Sequence, residues 1–112
     1  IVAYAAERHI RVVPEIDIPG HAQAAIAAYP ELGNTDVVDT AALTVWDSWG
    51  VSPNVLAPTE NTLRFYEGVL EEVLELFPAE TSPFVHIGGD ECPKDQRKQS
   101  PLASSAPSSR AL

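Results

Sequence analysis

Two adjacent carboxylates, Asp90 and Glu91, close the stretch Phe84-Val85-His86-Ile87-Gly88-Gly89-Asp90-Glu91-Cys92. It reads as a short strand that runs into two glycines and opens on an acid pair. Acids at the mouth of a strand suit proton transfer to a leaving group. A second stretch, Arg11 to Ile18, also reads as a strand. Period two puts Val13, Glu15 and Asp17 on one face and Val12, Pro14, Ile16 and Ile18 on the other. On the later strand Phe84, His86, Gly88 and Asp90 share a face. Both strands end in acidic residues followed by a loop, and active sites of parallel α/β folds lie at the C-terminal ends of strands.

These residue types support two chemistries. Asp17, His21, His86, Asp90 and Glu91 include metal-ligand types, but their spacing matches no H-E-x-x-H helix and there is no cysteine pair. The residues fit carboxylate acid/base catalysis better. Glycoside hydrolysis needs a proton donor at the leaving oxygen and a group that stabilises positive charge at the anomeric carbon. Asp90 and Glu91 are too close in sequence to flank a sugar from opposite sides, so they would act from one side. An anionic Asp90 would disfavour a second negative charge and help keep Glu91 protonated. Structural roles compete with these: His86 as a core histidine paired with Glu15 or Asp17, and His21 as a cap on the following helix.

The elements that must position these groups follow from pattern. Residues 2–9 are alanine-rich and read as the last turns of a helix. Pro14 cannot donate to a sheet ladder, which fits either an edge strand or a strand whose pairing ends near a site. Pro19-Gly20 ends that strand, and the alanine-rich segment from His21 to Leu32 is helical until Pro30 stops it. Residues 33–58 form a long irregular loop, a length often tied to function or to a lid. The loop holds Trp46 and Trp49, for which packing is expected over sugar stacking. The clearest helix spans 60–77, capped by Thr59 or Asn61. Leu63, Tyr66, Leu70, Val73, Leu74 and Phe77 form its expected buried stripe, with Glu67, Glu71, Glu72 and Glu75 on a solvated face. Strands alternating with helices predict a parallel α/β arrangement. Two strands cannot form a parallel sheet covered on both faces, so neighbours are expected from a longer chain. The abrupt start in mid-element points the same way.

Composition narrows the function classes. The 112 residues are 45% apolar, within the range of one small domain. No apolar run is long enough to span a bilayer. Residues 1–93 hold three arginines against fifteen acids, net −12, whereas residues 94–112 carry net +3. The acidic body argues against nucleic acid and anionic membrane surfaces as partners. Cys92 is the only cysteine, so no disulfide forms within the chain. Residues 97–112 are rich in Ser, Ala and Pro without periodicity and read as a disordered tail.

Val13-Pro14-Glu15-Ile16-Asp17-Ile18-Pro19-Gly20-His21, followed by His86-Ile87-Gly88-Gly89-Asp90-Glu91, resembles the family-20 glycoside hydrolases, the β-N-acetylhexosaminidases. Trp49-Gly50-Val51 and the Leu63–Pro78 helix are also similar, so the resemblance covers residues 1–96. It implies a partial (β/α)8 TIM barrel, with these two strands as about the third and fourth. It implies hydrolysis of terminal non-reducing N-acetylhexosamine from glycans or chitooligosaccharides by a substrate-assisted, retaining route, with no cofactor or metal. It further implies Asp90 as the residue that orients the substrate acetamido group, Glu91 as the general acid and base, and Asp17, His21 and His86 as supporting residues. The other strands, an arginine for sugar hydroxyls and the aromatic residues that enclose the acetamido group are absent. That absence predicts that these 112 residues alone neither fold stably nor turn over substrate. The competing reading is a non-catalytic carbohydrate-binding or interaction module, with Trp46 and Trp49 as its candidate aromatics.

Overall fold

The computed structural model describes residues 1–105. Five short-to-medium helices follow one another: α1 (Val2–Ala6), α2 (Gln23–Ala28), α3 (Glu60–Leu76), α4 (Asp95–Gln99) and α5 (Pro101–Ser104). Two 3-10 turns, Pro30–Leu32 and Thr40–Ala42, lie between α2 and α3. The expected helices over 2–9 and 21–32 are present but shorter. Pro30 ends α2 at Ala28, as a proline restricts the residue before it. Thr59 caps α3, its hydroxyl accepting from the Thr62 amide at 3.3 Å.

The two expected strands reduce to one parallel bridge, Glu15 to His86. The Ile16 N–H donates to the His86 carbonyl and the His86 N–H to the Pro14 carbonyl, both at 2.9 Å. The ladder stops on each side for a chemical reason. One step back, the rung would need an N–H from Pro14, which has none. One step on, Gly88 turns to φ +65, and Ile18 donates to the Ile87 carbonyl instead. Pro14 therefore marks where regular pairing ends.

The core is small and sits under α2. Ala22, Ile26, Leu32 and Leu56 are buried together, with Ile18, Ala25, Leu43, Phe65 and Tyr66 packed around them. Phe65 stacks at a tilt on Tyr29, centroids 4.9 Å apart. Only the first turns of α3 reach this core. The stripe expected to be buried is at best half-covered, and Leu74 is exposed, because no described element lies over the C-terminal half of α3.

The loop over 33–58 departs most from expectation. Its last third is core: Val55, Leu56 and Ala57 are buried, and Leu56 and Ala57 donate to the Pro19 and Leu32 carbonyls. A buried polar chain holds it there. Gln23 donates to the Thr44 carbonyl at 2.7 Å and accepts from Ser52 and Asn54. Gln96 donates to Asn54 Oδ1 at 2.7 Å, and Asn34 donates to the Val55 carbonyl at 2.9 Å. Burial of polar groups generally requires such partners, although Asn34 Oδ1 is buried with none among the described residues. Packing does not extend to the tryptophans. Trp49 is fully exposed, and Trp46 is partly exposed with its indole N–H on the Gly50 carbonyl at 3.2 Å. The stapling role expected for Trp49 is not observed, because nothing described covers it.

The expected tail is also partly ordered. Residues 95–99 and 101–104 are helical, and Gln96 and the intervening Ser100 are buried. Asp36 explains this: its carboxylate accepts from the Ser100 hydroxyl at 2.8 Å and from the Leu102 amide at 3.3 Å. Composition alone hides such a tether. Residues 106–112 of the expected tail lie outside the described residues.

Two outcomes follow. Gln96→Leu strips a partner from Asn54 inside the core and should cost about 2 kcal/mol, read as a lower urea midpoint. Hydrogen bonding by Ser100 holds the Asp36 carboxyl below its ordinary 3.8. A group depressed on folding contributes stability that is present above its unfolded value and lost as pH falls through the folded one. Acid should therefore release residues 95–104 from the body below about pH 4. Hydrogen exchange should detect this release, and Asp36→Asn should abolish its pH dependence.

Candidate active site

The turn after the bridge is built around Asp17. The Gly89 N–H donates to Asp17 Oδ1 at 2.9 Å. A Cβ on Gly88 would lie 2.0 Å from that oxygen and 2.7 Å from the Asp17 Cα. Gly88 also has φ +65 and Gly89 φ +92, in the left-handed region open to glycine. Both glycines are thus dictated by the path of the chain, and Gly88 additionally by the room that Asp17 leaves it.

That turn delivers the acids. Asp90 Oδ1 accepts from the Glu91 amide at 3.0 Å, so one carboxylate folds back on the backbone of the next residue. Glu91 itself has φ +40. On the facing segment, His21 has φ +51, and its Nε2 lies 3.4 Å from Glu91 Oε2. Among the described residues only His9, His21 and Glu91 are non-glycine with positive φ. Two of these three are the pair that meets. Such conformations persist only where the surroundings enforce them, and they cluster at functional sites. Gly20 allows the two segments to close, since its position faces the Asp90 carbonyl at 3.2 Å and the Cys92 Cα at 3.4 Å.

His86 sits apart from this pair. Its Nδ1 accepts the Gly88 N–H at 3.0 Å and lies 3.5 Å from Glu15 Oε1. The two contacts exclude each other, because a nitrogen that accepts a hydrogen bond has no proton to give a carboxylate. The shorter, directed Gly88 bond fixes Nδ1 as the acceptor and leaves the proton on Nε2. The expected pairing of His86 with Glu15 is therefore a proximity, and His86 is exposed rather than a core residue.

Five residues were singled out from sequence. The structure brings His21 to Glu91, Asp17 to the Gly88-Gly89 turn, and Asp90 to the Glu91 backbone. His86 meets the turn through the Gly88 N–H, which donates to its Nδ1. Asp90, Glu91, His21 and His86 are exposed, and Asp17 is half-buried. A cleft of ≈ 230 Å³ lies beside the turn, lined by Ile18, Pro19, Ile87, Gly89, Cys92, Lys94 and Arg97. Neither acid lines it, although Gly89 and Cys92 on either side of the pair do. Sequence reading missed Gln23. Its signal was available: a lone polar residue at the start of an alanine-rich helix, two positions after His21.

The family model described as glycosyl hydrolase family 20, catalytic domain, matches residues 1–111. The chain belongs to that family. The β-hexosaminidase of Porphyromonas gingivalis is 46% identical over 99 residues, which cover 88% of this chain and 12% of the relative. A crystal structure of a β-N-acetylhexosaminidase superposes with TM-score 0.83 at 39% identity, covering 94% of this chain and 21% of that one. The Flavobacterium johnsoniae chitobiase superposes with TM-score 0.81 at 35% identity, covering 92% of this chain and 15% of that one. The chain thus spans between about an eighth and a fifth of the length of these family-20 relatives. The bridge and its flanking helices are a piece of an α/β family-20 catalytic domain.

Glycine substitutions test how this family-20 turn is held. Gly88→Ala should cost roughly 3 kcal/mol or more, from steric overlap added to left-handed strain. Gly50→Ala shares the positive φ but meets nothing within 4 Å, so it should cost only about 1–2 kcal/mol. Denaturation midpoints of the two variants isolate the Asp17 contact.

Proposed function

We propose that this chain carries the acid-bearing half of a β-N-acetylhexosaminidase active site. Its strands would be about the third and fourth of a (β/α)8 barrel whose remainder closes the pocket. The substrate would be a terminal non-reducing N-acetylhexosamine on a glycan or chitooligosaccharide. The observation that carries this reading is the His21–Glu91 contact at 3.4 Å, made by two residues in left-handed conformations. Membership of the family and the hexosaminidase names of its relatives support it.

In this reading Glu91 protonates the glycosidic oxygen as the bond to the anomeric carbon breaks. The carbonyl oxygen of the substrate's 2-acetamido group attacks that carbon and forms an oxazolinium ion, the substrate-assisted exception to two-carboxylate glycosidases. Asp90 orients the acetamido group and offsets the positive charge that develops on it. Its Oδ1 is held by the Glu91 amide, and Oδ2 remains for the substrate. Glu91 then takes a proton from the water that opens the ring, and retention follows from two inversions. His21 holds Glu91 Oε2. Asp17 fixes the turn, and His86 supports it through Gly88. The scheme draws on no cofactor or metal.

The test supplies the missing walls. Residues 1–96 replace the corresponding segment of the Porphyromonas gingivalis β-hexosaminidase. The chimera should release 4-nitrophenol from its N-acetyl-β-glucosaminide. Glu91→Gln should lower kcat by about 10³-fold or more and Asp90→Asn by about 10²-fold or more. An Asp90→Asn chimera with unchanged rate and pH profile would sink the assignment.

A further inference from the structure

We propose that Asn54 is a positioning residue for the acid pair, the middle link of a buried amide relay that ties the segment of His21 to the segment of Glu91. This rests on the active-site reading above and deepens it. The two segments need such a tie. Their last shared backbone hydrogen bond runs from the Ile18 N–H to the Ile87 carbonyl. Past it, among the described residues, no backbone hydrogen bond joins 19–23 to 89–99. Gly20 lets the segments touch, but van der Waals contact alone sets no direction. His21 and Glu91 nevertheless meet with both backbones in the left-handed region. A pair of this kind persists only where its surroundings over-determine it.

The relay supplies that constraint. Gln23, two residues after His21, accepts at Oε1 from Asn54 Nδ2 at 2.9 Å. Asn54 Oδ1 accepts in turn from Nε2 of Gln96, five residues after Glu91, at 2.7 Å. All three side chains are buried, so water does not compete for these bonds. The row continues head to tail at both ends. Gln23 Nε2 donates to the Thr44 carbonyl at 2.7 Å, and Asn34 Nδ2 donates to Gln96 Oε1 at 3.4 Å. Each bond in such a row polarises the next. The residue type matters, because a primary amide donates and accepts at once and can pass a link on, whereas an ionised carboxylate only accepts and an ammonium only donates. The chain from His21 to Gln23, the bonds through Asn54, and the chain back from Gln96 to Glu91 form a ring closed by the His21–Glu91 contact. Removing Asn54 opens that ring without touching either member of the pair.

The experiment reads the contact itself by NMR in the full 112-residue chain, labelled with ¹³C and ¹⁵N. A nuclear Overhauser contact between the His21 ring and the Glu91 methylene protons should be present in the parent. Asn54→Leu should lose it while the Gly89 amide, held by Asp17, keeps its chemical shift. The gentler Asn54→Ser, too short to make both links, should do the same. Ile26→Val, a core truncation on the same helix as Gln23, should lower the urea midpoint and keep the contact. In the chimera, Asn54→Leu should lower kcat about tenfold with KM within about twofold, and should cost less than about twofold in a His21→Ala background. A retained contact in both Asn54 variants, its loss together with the Gly89 signal in both, its absence from the parent, or equal losses of kcat in the two backgrounds would overturn the proposal. A chimera without turnover would count against the acid-pair reading alone, because the contact is read without activity.

Discussion

The contact between Asp17 and the Gly88-Gly89 turn is the constraint on which the site depends. The Asp17 side chain occupies the space where any other residue at position 88 would carry its Cβ. The Gly89 amide closes on the same carboxylate oxygen. One carboxylate thus restricts Gly88 and holds the Gly89 amide immediately before the two acids. Asp90 and Glu91 owe their placement to it, and the His21–Glu91 contact follows because Gly20 lets the two segments approach. The single bridge at Glu15–His86 is too short to fix these positions alone.

A second layer of constraint lies beneath. The small apolar core is joined by a hydrogen-bonded polar chain running through Gln23, Ser52, Asn54, Gln96 and Asn34. Four residues form the central apolar cluster. Such a cluster leaves much of α3 uncovered, and among the described residues no further strand pairs with the bridged segments. Polar partners are directional, so this chain fixes the register of the 52–57 segment against α2 and α4 where apolar packing would tolerate slippage. The tryptophan loop connects to it through Gln23 of α2.

The contacts of the candidate site were more legible in the sequence than the fold. The glycines announce themselves because positive φ, and at Gly88 the room left by Asp17, requires them, and the acids stand out by their place at two strand ends. Their long-range meeting, His21 with Glu91, follows once two strand ends are placed side by side. The strands were less legible. Alternation over Arg11–Ile18 is real, but alternation specifies a face, and a ladder also needs neighbours that this chain does not supply. The core segment at Val55-Leu56-Ala57 was hidden inside a stretch of prolines and asparagines. Loop composition there reports the lack of regular backbone pairing, while burial is decided by side-chain hydrogen bonds from residues 20 to 40 positions away. The order in 95–104 was hidden for the same reason, since one aspartate, Asp36, supplies what composition cannot reveal.

The proposed chemistry explains why so much function sits in so short a piece. A glycosidase with two protein carboxylates must bring them from separate elements to opposite sides of the sugar, typically about 5–9 Å apart. Neither is then readable without the fold. If the nucleophile belongs to the substrate, the protein supplies acid and orientation from one side only. Two consecutive residues can do this, provided the backbone between them splits their directions. The left-handed Glu91, φ +40, with its amide drawn onto Asp90 Oδ1, is such a split. Consecutive acids in a regular strand would point to opposite faces of the sheet. Here the turn imposed by Asp17 frees the pair from that alternation, so strain at Glu91 and crowding at Gly88 are two consequences of one requirement.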